Sequence, residues 1–149
     1  MDALDLTQRP PRSPRLLLGD VDLLFLARTV DKLRATLPGG NPGEYKIPGF
    51  SARLLKALGI SEDALREEVA RAASDDDVAQ WVLQNTDPSK FEAINVAMED
   101  RKVEHYLNDA EWVGRYPLAK TVPPDTKLID FLILDDKQAF KDEKKPLSP

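Results

Sequence analysis

Asp20-Val21-Asp22-Leu23-Leu24-Phe25-Leu26-Ala27-Arg28-Thr29-Val30-Asp31-Lys32-Leu33-Arg34-Ala35-Thr36-Leu37 is the stretch that decides the fold. Leu23, Leu26, Ala27, Val30, Leu33 and Leu37 recur at helical spacing and so share one apolar stripe. Arg28, Asp31 and Arg34 fall on a second row, three residues apart. Ion pairs at that spacing on a helix surface contribute roughly 0.2–0.5 kcal/mol each. The pattern predicts a helix over Asp20–Leu37, with one face that other helices must cover.

Toward the C-terminus, Pro38-Gly39-Gly40-Asn41-Pro42-Gly43 stops that helix, because glycine accepts positive φ and proline cannot continue the ladder. A second, short helix is expected with Ser51 as N-cap, a Phe50–Leu55 staple and Gly59 just past its end. Ile60, Ser61 and Leu65 repeat the staple and cap for a third. Ser74 opens a fourth, whose acidic first turn suits the positive end of a helix dipole and whose Val78, Trp81 and Val82 face inward. Asp87-Pro88 reads as N-cap and first position of a fifth, with Phe91, Ile94 and Met98 buried. Val103, Tyr106, Leu107, Ala110 and Val113 continue a helical period on a shifted face, which implies a break between Glu99 and Lys102. Gly114 to Pro124 reads as loop. The apolar run Leu128–Leu134 fits either a buried helix or a strand; an N-cap at Asp125 or Thr126 and the lack of a partner strand favour helix. The expected architecture is all-α, a compact single domain of six to seven short helices.

Toward the N-terminus lies Arg9-Pro10-Pro11-Arg12-Ser13-Pro14-Arg15, three arginines among three prolines. Proline removes backbone donors and turns its predecessor away from helix, so residues 1–18 are expected as an extended, proline-rich strap. The helical domain then covers 19–140, and 141–149 is expected to fray.

Length and composition fit this outline. A chain of 149 residues can bury one core, and 42% hydrophobic with 32% charged residues fits a globular rather than a disordered chain. No window approaches the roughly 18 consecutive apolar residues of a membrane span. Asp2 and Asp5 stand where a secretory signal carries basic residues, so the expectation is a cytoplasmic protein. With no cysteine, thiolate catalysis, disulfides and cysteine-bound metals are excluded. His105 is the single histidine and cannot build a multi-histidine metal site, so neither a metal nor a cofactor is expected. A net charge of −5 argues against general nucleic-acid binding.

The candidate site joins Arg12 and Arg15 with Asp31, Lys32 and Arg34, plus Glu44 and Tyr45. If the strap folds over the first helix, these groups converge on a polar cleft whose guanidinium forks suit a carboxylate or phosphate. The competing reading has Arg12 and Arg15 simply tethering the strap, with Asp31 in ordinary ion pairs on a helix surface. Asp135-Asp136 could hold a hard cation, though an aspartate there more often caps a following helical turn. The Gly39–Gly43 loop lacks the lysine–serine ending of a phosphate-binding loop, and Pro11-Arg12-Ser13-Pro14 matches a P-x-x-P ligand only at the level of chance. Trp81, Trp112, Tyr106 and Tyr116 read as core or lid residues, with no basic groove beside them.

Several segments together resemble a known family. They are Asp5-Leu6-Thr7 with Arg9 to Arg15, Leu26 to Ala35, and Gly43-Glu44-Tyr45. Phe50-Ser51 with Leu54-Leu55 and Leu58-Gly59-Ile60 also fit, as do Asp135-Asp136 and Phe140. This set is similar to the bacterial domain-of-unknown-function family numbered 5069. The resemblance implies a small, mostly helical bacterial cytoplasmic domain and assigns no activity. Many members follow Gly-Glu-Tyr with a Cys-Pro segment; this chain has Lys46-Ile47-Pro48-Gly49 there, so a role resting on that cysteine does not transfer.

The sequence therefore leads to a binding or interaction module with an anion-favouring patch, taking a small anionic ligand or a protein partner. The alternatives are a small enzyme using Asp31, Lys32, Glu44 and Tyr45 for acid–base chemistry, and a helical homodimer.

Overall fold

A computed structural model describes residues 1–47 and 49–141 of the chain. Among these residues seven α-helices and three short 3₁₀ turns account for the regular structure, and β-pairing is limited to three isolated bridges. No helix among them is long and apolar enough to cross a membrane. The chain is all-α, and it divides into two compact units, Met1–Asn95 and Val96–Pro149. The expected frayed tail, apart from Lys141, lies outside the described residues.

In the first unit the strap leads into α1 (Leu26–Arg34), α2 (Phe50–Leu58), α3 (Glu62–Arg71) and α4 (Asp75–Asn85). Helix α1 packs against α2 and α3, and α3 against α4. The core combines Leu23, Leu26, Val30 and Leu33 with Leu54, Leu65, Val69, Val78 and Val82, all at or near zero exposure. The apolar stripe is thus the buried one, yet α1 is half as long as its spacing suggests. Phe25 adopts φ 70°, ψ −8°, a left-handed conformation that ends regular helix on its N-terminal side. Its N–H donates to the Pro14 carbonyl at 2.8 Å, a partner in the strap rather than in a preceding turn. Asn95 fixes the segment before it: the Leu24 N–H donates to Asn95 Oδ1 at 2.9 Å, and Asn95 Nδ2 donates to the Asp22 carbonyl at 2.8 Å. Long-range bonds have replaced the local ladder.

The caps follow local chemistry in part. Ser61 Oγ accepts from the Ala64 N–H at 3.0 Å and starts α3, while Gly59, at φ 72°, closes α2. Helix α2 starts two residues earlier than expected, at Phe50 after Gly49, so Ser51 lies inside it. Its hydroxyl is wholly buried and hydrogen-bonded to Thr29 Oγ1 at 2.8 Å. Ser74 precedes α4 without a side-chain cap; Asp77 accepts from the Ala73 N–H instead, at 2.9 Å. Asp87 caps a 3₁₀ turn, Pro88–Lys90, which runs into α5 (Phe91–Glu99).

The boundary between the units falls within α5. In the second unit the chain breaks after Glu99 as expected, but a 3₁₀ turn at Val103–His105 precedes α6 (Ala110–Arg115), which Asp109 caps. Pro117–Thr121, expected as loop, forms another 3₁₀ turn. The run at Leu128 opens α7 (Leu128–Phe140), resolving its ambiguity as helix, though neither Asp125 nor Thr126 caps it. The Leu128 N–H donates to the Arg101 carbonyl at 2.8 Å, and Val103 N–H to the Thr126 carbonyl at 2.9 Å. Trp112, buried, has Tyr106, Tyr116 and Phe131 ring centroids within 5.1–5.8 Å, a core cluster as its aromatic composition suggests.

Candidate functional site

The strap is fastened to α1 at several points. The Leu4 N–H reaches the Arg34 carbonyl, and Arg34 Nε donates to the Asp2 carbonyl at 2.8 Å. Midway, Asp31 receives the Arg12 backbone N–H at 2.7 Å and the Arg12 Nε at 3.1 Å, with Arg12 Nη2 at 3.0 Å. The same guanidinium reaches Asp75, in the first turn of α4, with Nη1 at 2.7 Å and Nη2 at 3.2 Å. One fork thus joins three segments (the strap, α1 and α4), and planar bidentate geometry is what arginine supplies and lysine does not. Burial opposes the Arg12 charge, but hydrogen bonds to Asp75 and Asp31 and the charges of both outweigh it and raise the pKa of the group.

Asp31 is therefore not a surface carboxylate. It is fully buried, and Arg34 Nη1 stands at 3.8 Å from it. The expected row of ion pairs on an exposed face is corrected on this point. Helix α1 is covered on that side by the strap, so the carboxylate is enclosed and strongly partnered.

Arg28 sits deeper than any other cation of the strap region, at 3% exposure. Its Nη1 donates to the Arg12 carbonyl at 3.2 Å, and its Cζ lies 5.5 Å from the centroid of the Tyr45 ring. Lys32, one turn further along α1, donates from Nζ to the Lys46 carbonyl at 3.0 Å. Both cations thereby meet the segment that follows the glycine loop.

Of the seven residues singled out from sequence, Arg12, Asp31 and Arg34 share one cluster, while Lys32 and Tyr45 belong to the adjoining loop side of α1. Arg15 and Glu44 are exposed. Arg28, which bridges the two sides, is the residue that sequence reasoning placed only in a helix ion pair. Its spacing four residues before Lys32 was the available signal, since like charges one turn apart repel unless something else holds them. Asp135 and Asp136 lie inside α7 and cap no following turn. Neighbours on a helix diverge by about 100°, and among the described residues no group of three or more acidic or histidine side chains is placed to hold a metal ion.

The family described as a domain of unknown function, DUF5069, matches residues 8–138. The chain belongs to that family. No curated protein matches it.

Proposed function

We propose that the chain is a non-catalytic binding module whose anion-favouring face, formed by Arg15, Lys32 and Tyr45 above the buried Arg28, takes a small anionic ligand. The observation that carries this reading is the convergence of Arg28 and Lys32, one turn apart on α1, on the Tyr45–Lys46 segment. Lys32 is half-buried and within reach of solvent, while the buried Arg28 adds positive charge beneath it. Arg15 is exposed on the strap that covers the same helix. Arg12 falls outside the proposed face, because Asp31 and Asp75 already occupy its fork. A bacterial, cytoplasmic setting is part of the same proposal.

The test is a titration of the full chain with inorganic phosphate at constant ionic strength, followed by amide shifts of Lys32 and Tyr45. Saturable shifts that the double variant Arg15→Ala, Lys32→Ala weakens by about tenfold or more support the reading. Binding unchanged in that variant, with only stability lost, assigns the cations to tethering instead.

A further inference from the structure

The second unit contains an open pocket of about 450 Å³ formed by residues 107–108, α6 and the turn that follows it, with every lining residue half-buried or exposed. Leu107, Ala110, Val113 and Pro117 are its apolar lining residues, and Asn108 and Lys120 its polar ones. Gly114, within α6, lines it as well.

That glycine has no explanation in the fold itself. Its φ is not among the positive values that glycine alone adopts freely, so the backbone does not demand it. A Cβ built there meets nothing within 4 Å, so no neighbouring atom excludes a side chain. Glycine inside a helix costs about 0.5–1 kcal/mol relative to alanine. Gly114 is exposed and lines the pocket, so a side chain added there changes the pocket's surface.

We infer that this pocket is a binding site for a small amphipathic carboxylate, its apolar body against Leu107, Val113 and Pro117 and its charged end toward Lys120 and Asn108. Its size lies within the range of small-molecule sites, and a mostly apolar wall with a few polar groups is the pattern such sites share. Lys120, exposed, is the one cationic residue in the lining and suits a single negative charge, and Gly114 adds no side chain to it. None of its lining residues belongs to the cationic face on α1, and the inference does not depend on that reading.

The experiment is titration of the full chain with octanoate, read by amide shifts in isotope-labelled protein, with octanol as the uncharged counterpart. The expected result is saturable shifts centred on Val113, Gly114 and Lys120. Gly114→Leu should weaken octanoate binding by about tenfold or more while melting no lower than the parent chain. Lys120→Glu should weaken octanoate by about tenfold and leave octanol within about twofold, a contrast that a merely destabilised protein does not give. Failure of the parent chain to saturate, shifts scattered away from α6, or parental affinity in Gly114→Leu would each overturn the assignment.

Discussion

The Phe25 ring stacks on the Phe50 ring with centroids 4.7 Å apart and planes 8° from parallel. Phe25 is the left-handed residue at the entrance to α1, and Phe50 is the first residue of α2. A bulky side chain at positive φ costs about 1–2 kcal/mol, so the stack and the Pro14 carbonyl hold a conformation the residue would not choose alone.

From this follows an inversion of the usual order of substitutions. Alanine normally outranks glycine beside a helix, but at position 25 Phe25→Gly should be more stable than Phe25→Ala by about 1 kcal/mol. Both should be less stable than the parent by about 3 kcal/mol, reflecting the lost core ring. Urea denaturation of the three proteins measures both differences, and alanine ranking above glycine would contradict the conformational account.

Arg12→Ala should destabilise the first unit by about 3 kcal/mol, because it leaves the buried Asp31 carboxylate with the residue-12 backbone N–H and, for charge, only the more distant Arg34. Asp75→Ala should cost about 1 kcal/mol, since Asp75 is partly exposed and Arg12 keeps its bonds to Asp31. Arg12→Lys should restore little, as one ammonium cannot serve two carboxylates with a fixed fork. Equal losses for the two alanine variants would show that burial of Asp31 is not the deciding factor.

Two glycines should respond in opposite ways to alanine. A Cβ at Gly40 would stand 2.5 Å from the Ala35 carbonyl oxygen, so Gly40→Ala must move backbone and should cost about 2 kcal/mol. Gly114→Ala meets no atom and should add about 0.5–1 kcal/mol of stability. Thermal melts of the pair read both signs in one experiment.

Asp87 has a lowered pKa because the Ser89 hydroxyl and then the Ser89 backbone N–H donate to its carboxylate, outweighing a small opposing burial. The folded value lies below the unfolded one. Its contribution to stability is therefore complete above the ordinary value of 3.8 and is lost as pH falls through the lowered value. A carboxyl-carbon NMR titration should find Asp87 below 3.8, and Ser89→Ala should move it part of the way back, since the backbone donor remains.

The all-α class was legible because its signals are local: the stripe from Leu23 to Leu33, Ser61 at the start of α3, Gly59 at the end of α2 and the break after Glu99. The start of α1 was not, because Asn95 and Pro14 take its preceding backbone groups from positions distant in sequence. Ser51 carried a cap signature but is used as a buried hydrogen-bonding group against Thr29. At the candidate site, docking of the strap was readable from its prolines and arginines. That one arginine would serve two carboxylates, and that Asp31 would be enclosed, depended on α4 arriving beside α1.

The Arg12–Asp75 contact closes a separation of 63 residues. Closing so long a loop carries an entropic penalty that nearby contacts within and between successive helices do not. We expect helices α1 to α3 to assemble while this stitch is still open, which would put its formation after the rate-limiting barrier. Removing it should speed unfolding and leave refolding almost unchanged, so the N-terminal arginine acts mainly as a brake on loss of structure.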